Sequence, residues 1–170
     1  MKRLIIGSVA SFFILSGFAS CGKAPTACSG DSLLDKAQLC PDRTSLGFAQ
    51  EFGSGTLIGT KPQDTISIRN GGVADLHVTA ATLTGDPEFS LTIAYDVSDG
   101  GAGTDIPASI TGDKNLFLRV VFAPTKAKAY SGTITVESDA ENTPSATFPV
   151  SGCGIPSDGG VSPCYKDGGL

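Results

Sequence analysis

Between Thr44 and Gly154, apolar and polar residues alternate with a period of two, the spacing that puts every second side chain on the same face of a β-strand. Gln63-Asp64-Thr65-Ile66-Ser67-Ile68-Arg69 and Leu76-His77-Val78-Thr79-Ala80 both follow it. Leu116-Phe117-Leu118-Arg119-Val120-Val121-Phe122 is apolar enough to predict a strand at the centre of a sheet. Tyr130 to Ser138 directs Ile134 and Val136 inward and Thr133, Thr135 and Glu137 outward, and Thr147 to Ser151 directs Phe148 and Val150 inward. Turn-forming residues separate these runs: Asn70-Gly71-Gly72, Gly85-Asp86-Pro87, Ser98-Asp99-Gly100-Gly101, Thr111-Gly112-Asp113 and the stretch from Asp139 to Pro144. Short strands punctuated at this interval, with no amphipathic run of helical length among them, predict an antiparallel β-sandwich.

Ahead of this region the pattern is different. Leu4 to Ala19 is apolar apart from Gly and Ser, and it follows the basic start Met1-Lys2-Arg3, which is the build of an export signal. Phe18-Ala19-Ser20-Cys21 resembles the lipobox of bacterial lipoprotein signal peptides, and the resemblance implies cleavage before Cys21 and acylation of that residue. Two or three acyl chains hold a protein firmly on a membrane where one holds it marginally. Gly22-Lys23-Ala24-Pro25-Thr26-Ala27 then reads as a linker. Beyond it, Leu33, Leu34, Ala37 and Leu39 suggest a short helical turn that Pro41 ends. In the sorting rule familiar from enteric bacteria, Gly22 in place of Asp after the lipidated Cys favours the outer membrane.

Without residues 1–20 the chain has 150 residues, enough for one core, and 10 basic residues face 17 acidic ones for a formal charge of −7. That balance excludes nucleic acid as a partner, because phosphate neutralisation needs a basic face. It gives no attraction to an anionic membrane either, which leaves attachment to the lipid on Cys21. With Cys21 assigned to the anchor, Cys28, Cys40, Cys153 and Cys164 form an even set. Neither the spacing nor the oxidising compartment favours zinc, so two disulfides are expected, with three connectivities open.

A longer resemblance spans most of the exported chain. Phe52-Gly53, Gly59, Ile66 to Gly72, Leu76-His77-Val78, Gly85, Phe89-Ser90-Leu91, Val120 to Pro124, Tyr130 to Val136 and Val150-Ser151-Gly152 occur in an order similar to that of ASH (Hydin-like) domains. This immunoglobulin-like family is related to major sperm protein, and its bacterial members are often called choice-of-anchor D domains. The resemblance implies a seven-stranded immunoglobulin-like antiparallel β-sandwich over 44–154, behind a signal peptide (1–20) and a lipidated, Cys-closed linker segment (21–43). A Gly-rich tail (155–170) follows. Within the motif, Asn70 and Gly71 suit a turn with positive φ, Pro124 ends a strand, and Gly152 allows close backbone approach.

In such sandwiches the first strand runs parallel to the last, which places Cys40 and Cys153 at opposite ends, about 20 Å apart and beyond the ~7 Å Cα limit for a disulfide. The resemblance therefore implies the local pairs Cys28–Cys40 and Cys153–Cys164. It also implies protein interaction or scaffolding rather than turnover, with strand addition at a sheet edge as the mode of contact.

Residues able to carry other chemistry are few. His77, the single histidine, alternates against Leu76 and Val78 and so faces solvent, and no Gly-x-Ser-x-Gly elbow marks a nucleophile. Asp96, Asp99, Asp105 and Asp113 lie in or beside a Gly-rich stretch that offers hard oxygen ligands to calcium without EF-hand spacing. The chain has no Trp, and Tyr95, Tyr130 and Tyr165 are scattered, whereas Phe48, Phe89, Phe117, Phe122 and Phe148 fall in strands and read mostly as core. These features predict a non-enzymatic lipoprotein that needs no metal or cofactor, is held at the bacterial cell envelope by membrane lipid on Cys21, and binds another envelope protein. A calcium- or saccharide-binding surface module is the alternative.

Overall fold

The computed structural model describes residues 28, 35–48, 55–97, 100–112, 114–158 and 163–164. Eleven strands make up two facing sheets: β1 (Leu39–Pro41), β2 (Leu46–Phe48), β3 (Thr56–Leu57), β4 (Gln63–Asn70), β5 (Leu76–Gly85), β6 (Phe89–Asp96), β7 (Ala102–Gly103), β8 (Ala108–Ile110), β9 (Asn115–Phe122), β10 (Ala129–Ser138) and β11 (Ser145–Ile155). One sheet has the order β1-β4-β9-β6-β7 and the other β2-β11-β10-β5-β8, with β3 also on β11. This is the expected immunoglobulin-like sandwich, with eleven strands among the described residues where seven were expected. The sheet that contains β11 is mixed, because β2 and β3 both pair parallel to β11, whereas every pairing in the other sheet is antiparallel.

Each predicted strand forms, and its apolar face turns inward. Ile66 and Ile68 of β4, Leu116, Leu118, Val120 and Phe122 of β9, Ile134 and Val136 of β10, and Phe148 and Val150 of β11 are all buried. β9 lies between β4 and β6, the central place its composition predicts. At about 25 cal/mol per Å², each of these side chains contributes roughly 1.5–3 kcal/mol of burial.

The structure corrects local readings in β1 and β5. Leu39, expected in a helical turn, belongs to β1, where Leu39, Cys40 and Pro41 pair with Asn70, Arg69 and Ile68 of β4. The sheet therefore begins ahead of residue 44, and residues 29–34 of the expected turn lie outside the described residues. In β5 the alternation changes phase. Val78 pairs with Ser138 and Ala80 with Glu137, so Thr79 is an extra residue in the ladder. Ala81 and Leu83, rather than Ala80 and Thr82, then pack toward the core.

The strands give the sandwich two ends. Near β1 lie the β4–β5, β8–β9 and β10–β11 connections; this is called the near end. At the opposite, far end lie the β3–β4, β5–β6 and β9–β10 connections. There Phe48, Phe89 and Phe122 cluster, with Phe89 and Phe122 stacked 4.7 Å apart. Phe122 also meets Tyr130 edge-on at 5.3 Å. A Cβ on Gly152 would stand 2.6 Å from the Phe122 ring, so the close approach anticipated there is by an aromatic ring and not by backbone.

Candidate functional site

Of the five cysteines, Cys21 lies outside the described residues. The other four form the two local disulfides, Cys28–Cys40 with Cα atoms 5.5 Å apart and Cys153–Cys164 with 6.1 Å. They sit at opposite ends. Cys28 and Cys40 lie at the near end beside Asn142, whose Nδ2 is 3.7 Å from the Cys28 sulfur, and Cys153 lies at the far end of β11. Each closes a short loop, a constraint worth about 3 kcal/mol against the unfolded chain in the loop-entropy picture.

Three buried or half-buried amides organise the near end. Asn70 continues the inward series Ile66, Ile68, Asn70 and is fully buried. Its Oδ1 accepts from the backbone N–H of Gln38 (3.2 Å) and Gly72 (3.1 Å). Its Nδ2 donates to the carbonyls of Ala74 and Ile110, both at 2.8 Å. One side chain thus ties the residue entering β1, the β4–β5 turn and the end of β8 together. Asn70 serves its turn through its side chain, and Gly71, expected beside it at positive φ, is not among the glycines with positive φ. Asn142 grips β1 in both directions, accepting from Leu39 N–H and donating to Leu39 C=O at 3.0 Å each. Gln38 accepts from Cys28 N–H at 3.2 Å. Asn70 was legible from its place in the alternation, whereas Asn142 was not, because its partner lies about a hundred residues away.

At the far end, Tyr130 is buried and its hydroxyl accepts from the N–H of Lys126 (2.8 Å) and Thr125 (3.2 Å) while donating to Lys126 C=O (3.0 Å). The Lys128 ammonium lies 4.4 Å over the Tyr130 ring and 2.8 Å from an Asp86 carboxylate oxygen. The hydrogen bond from Lys128, joined by one from the Ser131 N–H, holds the Asp86 carboxyl below the ordinary carboxylate range; the same bond raises Lys128. These contacts stiffen the β5–β6 and β9–β10 connections.

The residues with possible chemistry are not brought together. His77 is exposed, with its Nε2 4.0 Å from the Asp139 carboxylate. Asp96 is engaged by the backbone and side-chain nitrogens of Asn115 at 3.2 and 3.1 Å, Asp105 is exposed, and Asp99 and Asp113 lie outside the described residues. Among the described residues no three His, Cys, Asp or Glu gather as metal ligands. Tyr130 is core, Tyr95 is half-buried and Tyr165 lies outside the described residues, so no aromatic platform forms among those described. Phe117 is half-buried on the outer face of β9, unlike Phe48, Phe89, Phe122 and Phe148, which are core.

One surface does stand apart. The partly buried apolar residues that pack on the core are Ala81 and Leu83 of β5, Leu91, Ile93 and Tyr95 of β6, and Ile106 of the β7–β8 connection. All lie along the side of the sandwich where β5 faces β6 across the gap between sheets. β8 covers only Leu76 to Val78 of β5, and β7 covers only Tyr95 and Asp96 of β6. The outer edges of Thr79–Gly85 and of Phe89–Ala94 therefore have no strand partner among the described residues. The β5 stretch, Thr79-Ala80-Ala81-Thr82-Leu83-Thr84-Gly85, has no charge and no proline, the usual means of blocking an edge. It forms an apolar seam bordered by an edge able to pair.

No family model matches the chain, and no curated protein matches it. Solved structures do. The ASH/PapD-like domain of human CEP192 (PapD-like domain 7) is 13% identical, with 92% of this chain and 99% of that one covered and a TM-score of 0.46. WR4, a C. elegans MSP family member, is 8% identical over 67% of this chain and 96% of its own, with a TM-score of 0.40. The VesB protease of Vibrio cholerae is 15% identical over 67% of this chain, which spans 31% of that protein, with a TM-score of 0.46. The immunoglobulin-like assignment rests on the strand order and register of the chain itself.

Proposed function

We propose that the chain is a lipid-anchored protein of the bacterial cell envelope, most simply of the outer membrane. In this reading its sandwich is a non-catalytic module that takes up an extended segment of another envelope protein along the β5–β6 seam. The observation that carries the reading is the seam. An incoming strand paired to Thr79–Gly85 satisfies the free edge, and its alternate side chains cover Leu83, Leu91 and Ile93. The occupant is therefore an extended, weakly charged segment with apolar residues at every second position. Two stretches of the chain itself do not fit: 22–27 has one proline and a lysine, and 165–170 is Tyr-Lys-Asp-Gly-Gly-Leu. Anchoring is supported by the apolar leader and by Cys21 within its lipobox-like tetrapeptide.

Two measurements test the two halves. Labelled palmitate enters the wild type and not Cys21→Ala, and unlabelled wild type overturns the anchor. For the seam, peptides selected from a displayed random library on the whole exported chain show alternating apolar residues. Their binding protects the amides of Thr79–Gly85 from hydrogen exchange and is lost in Leu83→Lys but kept in Thr147→Lys. Protection elsewhere, with β5 unchanged, refutes strand addition.

A further inference from the structure

We infer that the anchored protein holds its near end toward the membrane and presents its far end, with the Asp86–Lys128–Tyr130 contacts and the Cys153–Cys164 disulfide, to the opposite side of the compartment; this rests on the lipidation of Cys21 proposed above. Only Gly22 to Ala27 separate Cys21 from Cys28. A fully extended chain of that length reaches at most roughly 25 Å. Cys28 is not free to move over the domain. Its disulfide holds it to Cys40, in register with Arg69 of β4, its N–H is bonded to Gln38, and Asn142 lies against its sulfur. The tether thus leaves from the near end, at the β4–β5 and β10–β11 turns. The eight-residue strands β4 and β9 then run about 27 Å along the sandwich to the far end. The far end stands about one strand length beyond the tether's attachment.

The charges agree with a domain that stands off the lipid and does not lie on it. The near end carries Asp35, Asp75, Asp96, Asp139 and Glu141 against Lys36, Lys114 and Arg69. Anionic headgroups repel such an end until it is beyond the screening length of about 8 Å at physiological salt, and the tether allows that distance. At the far end Lys61, Lys126 and Lys128 balance Asp86, Glu88 and Asp158. On the outer face of β9 stands Arg119, and beside that face Arg43 is paired with Asp64 at 2.9 Å, so the pull of this face toward a membrane is small. The seam runs lengthwise between the two ends. A partner strand therefore reaches it from the side or from beyond the far end, without displacing lipid.

The lack of any Trp makes the test direct, since one introduced Trp reports alone. Val73, 58% exposed in the β4–β5 turn, is a near-end site; Lys126 is a far-end site, and Thr92 and Thr147 are exposed on the outer faces of the two sheets. Lipidated full chains with Val73→Trp, Lys126→Trp, Thr92→Trp or Thr147→Trp are placed on phosphatidylglycerol-containing vesicles bearing a dansyl headgroup. Energy transfer is expected to be greatest from Val73→Trp, least from Lys126→Trp and intermediate from the other two. Transfer from Thr92→Trp or Thr147→Trp that equals or exceeds that from Val73→Trp, or equal transfer from all four, overturns the orientation while leaving the anchor intact. Failure of the wild type to bind vesicles, or equal binding by Cys21→Ala, instead defeats the lipidation on which it rests.

Discussion

Replacing Asn70 by Ala removes four hydrogen bonds at once and leaves two backbone N–H groups and two carbonyls facing a space from which water is excluded. At a net value of about 1 kcal/mol per bond, with partial rehydration as β1 loosens, the expected loss is about 3 kcal/mol. For a domain of this size that lowers the midpoint of thermal unfolding by about 10 °C. Urea unfolding followed by circular dichroism measures it, with an unchanged m-value expected. Asn70→Gly separates the two roles of this residue. If Asn70 only shaped its turn, glycine would be neutral; as the junction of β1, the β4–β5 turn and β8, it loses the same four bonds to glycine as to alanine. Asn70→Asp adds a pH signature. The carboxylate keeps both N–H donors but sets a charged oxygen against the carbonyls of Ala74 and Ile110, so its pKa in the folded state rises above the unfolded value of about 3.9. The protonated form is therefore favoured by folding. The variant is closest to wild type below pH 4 and loses stability as pH rises through the folded pKa. A loss below about 1 kcal/mol for Ala, a neutral Gly variant, or a wild-type gap for Asp that narrows from pH 4 to 7 refutes the reasoning.

Gly152→Ala forces a methyl into the Phe122 ring and is expected to cost about 1–3 kcal/mol, read from the urea midpoint; a neutral result would mean the far-end aromatic cluster has slack that the structure does not show. Asp86→Asn probes the far-end ion pair. The depressed Asp86 pKa contributes stability that is present above its unfolded value of 3.8 and is lost as pH falls through the folded pKa. The variant should flatten the acid limb of a Tm-versus-pH curve, and an unchanged limb counts against the pairing with Lys128.

The strands were legible because side chains in an extended chain alternate between faces, so Ile66-Ser67-Ile68 or Thr133-Ile134-Thr135 declares its inner face within a few residues. The same rule carries Asn70 inward, although its turn-like neighbours Gly71 and Gly72 suggested a different role. Pairing was not legible in this way, because it depends on a partner far along the chain. Leu39 has a helix-like pattern of neighbours and becomes a strand because β4 offers it an edge and Asn142 caps the other side. Thr79 breaks the alternation of β5 only because β10 lacks a residue opposite it, and that single insertion turns Ala81 and Leu83 toward the seam.

Composition and local pattern by themselves determined a β-sandwich behind an apolar N-terminal stretch, an acidic balance and four paired cysteines, since each of these follows from side-chain chemistry read over short distances. The tertiary structure decided which sheet edges remain open, where the half-buried apolar residues collect, and that Cys28 and Cys153 lie at opposite ends. Those features arise from long-range packing between strands, and no short stretch of the chain contains the information that sets them.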